Sequence, residues 1–416
     1  MSVQAEKTTA LKSAKLPPEL IIFAGCVIVV LTFGPRSALG IFQLPILEER
    51  GWGSGLFSFA MAIQYLLWGV GQPFAGAMAD KYGTLRVLIV GLVMYGLGLA
   101  LMSWSTTPLT FTLTAGVLMG FGLSACSFNL VIGALAKLVP EKMRGIAFGA
   151  GTAAGSFGQF LFAPITGWLV RDYGWHATVI GFGVLMIAVI PLTKFIATPP
   201  ASAEKKTAVP PQSFKAALNQ AFRHKSFLLL TAGFFTCGFQ LAFVTIHFQK
   251  YVVEAGIPPE VGYWAFALVG IANIFGSLFS GYLSTIIPMR FVLSGIYLGR
   301  SAVTVLFIML PPTPWSCYLF GALTGLLWLS TVPPTSSLIG IMFGTRYFST
   351  IYGFAFLSHQ VGGFAGLMLS GWVRESTGSY AAMWWLSIGF GIFSALINLP
   401  IVEKHVDEAT PVATAA

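Results

Sequence analysis

Residues Gly145–Gly174, GIAFGAGTAAGSFGQFLFAPITGWLVRDYG, and residues Thr350–Gly378, TIYGFAFLSHQVGGFAGLMLSGWVRESTG, are one segment written twice. An offset of 204 residues superposes Gly149 on Gly353, Gly158 on Gly362, Gly167 on Gly371, Trp168 on Trp372 and Gly174 on Gly378. A slightly shifted offset pairs Gly71 and Gly76 with Gly276 and Gly281. A glycine-rich chain produces isolated matches by chance, but hardly a Gly-Trp pair with three more glycines in phase. Two parallel repeats of this kind are the sequence sign of a membrane transporter that rocks one half against the other.

The rest of the chain agrees with a lipid solvent. Of 416 residues 56% are hydrophobic and 9% charged, and the mean hydropathy is +0.80. No soluble domain hides that much apolar surface, and uninterrupted apolar runs of about 20 residues rule for helices over a barrel. Twelve spans can be read, near 20–45, 55–79, 85–104, 110–138, 146–170, 176–197, 226–250, 260–285, 290–310, 316–342, 348–373 and 380–401. The fold class is therefore all-α integral membrane, with twelve transmembrane helices as two pseudo-symmetric six-helix bundles. The first bundle covers residues 1–197 and the second 226–416. Between them, 198–225 form a Pro/Ala/Lys-rich linker ending in a short amphipathic helix. The apolar run behind the N-terminal lysines is too long for a signal peptide and lacks a small-residue cleavage site, so it counts as the first span.

Charge placement sets the orientation. The net charge is +9, and its basic residues lie in loops rather than on a nucleic-acid-binding face. Of the twenty-three Lys and Arg, Arg50, Arg171, Lys250 and Arg374 fall in outer loops and Arg36 and Arg300 within spans. The remaining seventeen fall on the side of the N-terminus. The positive-inside rule then makes both termini cytoplasmic, in a cell (inner) membrane. Cys26, Cys126, Cys237 and Cys317 form no CxxC pair, so no disulfide framework or zinc site is indicated. No nucleotide-binding loop, metal cluster or enzymatic triad is present, so the chain is expected to be no enzyme, to need no cofactor, and to run on gradients.

Arg36 is the charge that needs a reason. It lies inside IIFAGCVIVVLTFGPRSALGIFQLP, residues Ile21–Pro45, while all fourteen Asp and Glu fall in loops, tails or helix ends. A guanidinium at that depth must face a bundle interior, a watery cavity or an anion. With no buried carboxylate to neutralise it, an anionic cargo fits, held by the planar guanidinium fork. The bland alternative is a snorkelling or carbonyl-paired arginine. His359 is the one histidine near the middle of a span. It either carries a coupling proton or packs helices through a hydrogen bond.

The loop Gly76-Ala-Met-Ala-Asp80-Lys81-Tyr-Gly83-Thr-Leu-Arg86 resembles the cytoplasmic signature of the major facilitator superfamily, Gly-x-x-x-Asp-Arg/Lys-x-Gly followed by basic residues. It departs at Thr84 and Leu85, where the family usually has basic residues. Gly34-Pro-Arg36-Ser37-Ala-Leu-Gly40-Ile-Phe42 is similar to the Gly-x-Arg-x-x-x-Gly-x-Phe pattern of the bacterial monocarboxylate-porter and oxalate/formate-antiporter branch. The resemblance implies a secondary transporter of small organic anions, chiefly monocarboxylates, working by alternating access as a monomer, with proton symport or exchange. It implies Asp80 as a gating residue against the N-terminal end of the eleventh span, with Arg144 joining that charge network or remaining a solvated loop charge. Asn129, Gln240 and Trp328 fall on the fourth, seventh and tenth spans, which with the first line the superfamily's cavity. They are the remaining substrate-binding candidates. Arg300, on a span outside that set, is expected to bond carbonyls or Asn273. The rival reading is a proton-driven exporter of drugs or amphipathic compounds; exporters, however, commonly carry an intramembrane acid, which this chain lacks.

Overall fold

Among the described residues the chain crosses from one end of the molecule to the other twelve times. The computed structural model describes residues 16–200, 214–344 and 348–405. Lys7, Lys12, Lys15, Lys205, Lys206 and Arg346 of the charge count lie outside them, as does 201–213 of the linker. Ten segments of the described residues are long and apolar enough to span a membrane. They are α1 (Pro18–Arg50), α2 (Ser54–Tyr82), α3 (Thr84–Trp104), α4 (Pro108–Leu138), Met143–Ile196, α7 (Lys225–Glu254), α8 (Pro259–Ile286), α9 (Met289–Met309), α10 (Pro314–Phe343) and α12 (Ala381–Asn398). Met143–Ile196 holds two helices, α5 (143–173) and α6 (175–196), which meet at Gly174 with φ 79°. The 30-residue helix α11 (Phe348–Thr377) completes the twelve. A short helix, Phe214–Arg223, precedes α7.

Buried side chains gather in two cores. One runs from Ile21 to Ile196 and borrows Ala242, Ile246 and Leu367 from the second half; the other runs from Ala221 to Ile401 and borrows Ala163 from the first. The borrowed residues mark where two six-helix bundles meet. Large apolar side chains such as Phe23, Phe74, Phe275, Trp315 and Trp372 point outward, as a lipid solvent requires.

The repeat has a physical job. Gly158 lets α5 settle on the Val30 carbonyl of α1, and Gly362 lets α11 settle on the Phe235 carbonyl of α7, with no room for a Cβ at either. Gly174 and Gly378 both take positive φ, 79° and 69°, where the chain turns after α5 and α11. Ser156 and Gln360, related by the same offset, each make a hydrogen bond across the two halves. Ser156 Oγ accepts from Asn273 Nδ2 at 2.7 Å, and Gln360 Nε2 donates to the Tyr65 carbonyl at 3.4 Å.

Three helices are broken near mid-depth. In α1, Pro35 lacks the N–H that would continue the ladder, and the helix gives way at Ala38 to a tighter turn over Leu39–Phe42. In α4, Ser127 is extended (φ −67°, ψ 161°) between two helical pieces. In α10 the helix stops at Leu327 and restarts at Val332, where Pro333 and Pro334 can donate nothing. Backbone groups freed by such a break need new partners in a membrane. Arg300 of α9 supplies them: its Nε and Nη2 donate to the Leu327 carbonyl at 3.0 and 2.8 Å, and Nη2 also to the Trp328 carbonyl. Asn273 Oδ1 accepts from the Leu329 N–H at 2.8 Å, and Ser280 Oγ donates to the Ser330 carbonyl. Arg300 thus bonds carbonyls; Asn273 serves the same break rather than Arg300 itself.

Arg300→Leu orphans two buried carbonyls, at about 1–3 kcal/mol each. The expected result is a melting temperature in detergent several degrees lower, with Arg300→Lys intermediate because an ammonium cannot span both carbonyls as the planar fork does.

Candidate functional site

The breaks in α1, α4 and α10 converge on a central cavity of about 110 Å³ between the halves. Its walls include Arg36, Tyr65, Trp68, Asn129, Gln159, Trp328, Tyr352, Phe356, His359 and Gln360. Arg36 is delivered there because the α1 break ends the helix one turn past Pro35. At the last turn its charge also lies favourably on the helix dipole. The side chain is 6% exposed, and its guanidinium carbon sits 4.5 Å from the Tyr65 ring centre and 4.6 Å from that of Trp68. Among the described residues it forms no ion pair. Its Nε is buried with no hydrogen-bond partner among the described residues, and so is the Trp68 Nε1.

The magnitudes leave a deficit. Removing a guanidinium from water costs several kcal/mol even after relaxation. Two aromatic faces return about 2 kcal/mol each at best. Two buried N–H donors without acceptors add about 1–3 kcal/mol each to the debit. Among the described residues no carboxylate lines the cavity. An anion accepting from Arg36 and Trp68 removes both terms together.

His359 lies across the cavity on α11, 9% exposed, stacked on Phe356 (5.9 Å, 5°) and against Phe234 (4.9 Å). Its Nδ1 is 2.9 Å from Gln360 Oε1, which can only accept, so Nδ1 carries the hydrogen and Nε2 is the basic atom. Asn129 follows the α4 break and is half-buried in the wall. Trp328 stands at the α10 break, where Arg300 grips its carbonyl. Arg36, Asn129, Trp328 and His359 thus line one space. Gln240 does not. It is turned toward α9 and α12, donating to the Ser387 carbonyl at 2.8 Å and accepting from Arg300 Nη1 at 3.4 Å. Tyr65, Trp68 and Gln360 belong to the wall without having been singled out from sequence, where the two aromatics read as core residues.

The two ends of the molecule differ. At the end carrying Ser54, the halves are tied together. His247 Nε2 of α7 lies 3.1 Å from Ser58 Oγ of α2, Lys250 Nζ donates to Ser54 Oγ, and the Gly55 N–H donates to Glu375 Oε1 of α11 at 2.7 Å. Gly40 of the α1 break packs against the Thr245 and Ile246 carbonyls so closely that no Cβ fits. Lys250, read from sequence as an outer-loop charge, is instead inside α7 and 8% exposed. At the opposite end, Asp80 pairs with Lys137 of its own half rather than with Lys81, their side chains 61% and 49% exposed. Arg144 is exposed and forms no ion pair among the described residues, so it does not join Asp80 here. Gly76, Gly145 and Gly149 face open space.

Comparison with known proteins matches this description. The Major Facilitator Superfamily matches residues 25–367. An uncharacterized MFS-type transporter of Bacillus subtilis, YcxA, is 25% identical over 384 residues, covering 90% of this chain and 93% of its own. Monocarboxylate transporter 13 of Rattus norvegicus is also 25% identical, over 385 residues, covering 89% and 86%. Among solved structures, a bacterial homolog of the human lysosomal transporter Spinster, in an inward-facing and unoccupied conformation, superposes with a TM-score of 0.72. It does so at 14% identity over 92% of this chain and 96% of its own, a likeness of fold alone. With twelve helices in two repeated bundles, a cavity at their interface and a family match over most of its length, this chain belongs to the Major Facilitator Superfamily and is a multi-pass membrane transporter.

Proposed function

We propose that the chain carries small organic anions, monocarboxylates first, by alternating access, with Arg36 as the cargo's anchor. The observation that carries the reading is Arg36 itself, buried between two rings, its Nε and the neighbouring Trp68 N–H both lacking acceptors, in a wall without a carboxylate. One cation suits one carboxylate. The flanking Tyr65, Trp68, Trp328 and Phe356 suit an apolar remainder, and Asn129 a polar substituent on it. The relatives named monocarboxylate transporters support the same cargo class. An exporter of cationic compounds fits less well, since the cavity's fixed charge has the wrong sign.

Orientation follows from the loop charges. Seventeen basic residues on the side of Asp80 favour that side as cytoplasmic, with both termini there, in the cell membrane. The tied Ser54 end is then the outer face, and the molecule is caught open to the inside. In the opposite state Asp80 leaves water and meets the positive end of α11, closing the inner face. A proton accompanies the cargo on His359 Nε2 or on the carboxylate itself; among the described residues His359 is the one imidazole in the wall.

Counterflow in proteoliposomes, across a panel of mono- and dicarboxylates with a cationic dye for contrast, tests the cargo class; preference for the dye ends the anion reading. Arg36→Ala should raise the half-saturation concentration about 10- to 100-fold, the worth of a charge-assisted hydrogen bond, with Arg36→Lys between it and the native chain. Normal transport by Arg36→Ala removes the anchor. Asp80→Asn should slow turnover while leaving affinity within about twofold, because it biases the gate and not the cavity. His359→Gln should abolish uphill uptake driven by a pH gradient while exchange of labelled for unlabelled cargo persists. Gradient-driven uptake surviving in that variant assigns the proton to the cargo.

A further inference from the structure

We propose that His247 is a second proton-accepting site, placed in the seal at the Ser54 end, where its neutral form holds the halves together and its protonated form releases them. The proposal rests on the transport reading above for its biological sense, but its test needs no cargo.

His247 is fully buried in α7, seven residues before the helix ends at Glu254. Both ring nitrogens are engaged, Nε2 with Ser58 Oγ at 3.1 Å and Nδ1 with the Tyr380 hydroxyl at 2.9 Å. The proton positions can be worked out. Ser58 Oγ donates to the Ser54 carbonyl at 2.7 Å, which uses its only hydrogen. Toward His247 it can therefore only accept, so Nε2 carries the hydrogen. In a neutral ring Nδ1 is then bare and accepts from the Tyr380 O–H. The chain Tyr380→His247→Ser58→Ser54 carbonyl is complete with one hydrogen per link. It crosses from the second half to the first at the Nε2–H···Oγ step.

The surrounding charges balance without a charge on His247. From its own helix it meets Lys250, one turn on, which is 3.7 Å from Glu254. Arg374 of α11 grips Glu254 through two bonds of 3.0 and 2.7 Å, and Glu375 accepts from the Gly55 N–H. The other ionisable groups nearby are the phenols of Tyr251 and Tyr380. Two cations thus face two carboxylates, all four already partnered. From α2 the facing groups are the hydroxyls of Ser54 and Ser58; from the α1 break it is backbone at Gly40.

A proton added at Nδ1 upsets this arrangement twice. It puts a hydrogen where the Tyr380 hydrogen already lies, so that hydroxyl must turn away from the ring. It also places an unmatched positive charge in a buried cluster beside Lys250, and an uncompensated buried charge is strongly destabilising. Parting the halves at Ser58 and Ser54 admits water to the imidazolium. Whatever binds the open form better shifts the equilibrium toward it, so protons at the outer face favour outward opening. His359 differs in place and in consequence: it meets the cargo in the cavity, whereas His247 meets the opposite half at the mouth.

The test uses the full-length chain in liposomes, with Cys26, Cys126, Cys237 and Cys317 replaced by alanine. Spin labels are attached at Leu109→Cys and Trp315→Cys, exposed positions on opposite halves beyond α3 and α9. Pulsed electron–electron resonance reads their separation without substrate. A single linked proton changes an equilibrium by at most about tenfold per pH unit. The long-distance population is expected to rise at least about threefold between about pH 7.5 and about pH 5.5 in the chain retaining His247. The rise should vanish in His247→Gln, whose amide keeps the donor to Ser58 but does not titrate, and persist in His359→Gln. His247→Asn serves the same purpose if the Gln variant does not fold. A pH response that survives either His247 variant, or none in the chain retaining His247, overturns the proposal. Failure of the cargo reading appears elsewhere, as absent counterflow with the distance change intact.

Discussion

A buried guanidinium without a carboxylate is the constraint around which the centre of this protein is arranged. Arg36 is 6% exposed at the α1 break, and the two rings that sandwich it offset only part of its desolvation. The cavity is therefore positive by construction, with Arg36, Tyr65 and Trp68 all on the first half. On the proposed reading this anchor keeps its chemistry while the second half, which brings Trp328, Phe356 and His359 to the same cavity, moves past it. What changes between states, on that reading, is access.

The broken helices show how such a site is kept without flooding the core with unpaired backbone. Each interruption puts polar main chain at mid-depth, where lipid offers no partner. At the α10 break Arg300, Asn273 and Ser280 take up that load. Arg36 and Arg300 are both intramembrane arginines, yet they have opposite uses. One has its donors occupied by carbonyls; the other has a donor left over. On the proposed reading that spare donor on Arg36 is kept for the cargo.

Much of this was legible in the sequence, and the limit is geometric. The twelve spans, the repeat and the isolation of Arg36 follow from composition and periodicity, because lipid permits so few structures. The paired glycines mark contacts that the fold makes twice, α5 on α1 and α11 on α7. Rotation about a helix axis is not legible in the same way. Gln240 shares α7 with the cavity-lining Leu241 and Thr245 but turns toward Arg300 instead. Lys250 looked like an outer-loop charge because a hydropathy reading ends α7 near it, whereas the helix continues to Glu254 and folds the lysine into the seal. Tyr65 and Trp68 were indistinguishable from core aromatics until the guanidinium was found between them.

The repeat is a repeat of packing and not of chemistry. In the first half, the groups facing the interface are a fixed cation, Arg36, and the hydroxyls of Ser54 and Ser58. In the second they are two histidines, a lysine and the acids that neutralise it. The cavity's fixed cation lies on one side of the interface and both histidines on the other. On the proposed reading this division is what couples protons to the anion. An anion on Arg36 changes the field felt by His359 across the cavity, and a proton on His247 changes the strength of the seal above both. Each acts through the relative position of the halves, the one coordinate they share. Had both kinds of group been built on the same bundle, they would move together, and neither could sense the tilt.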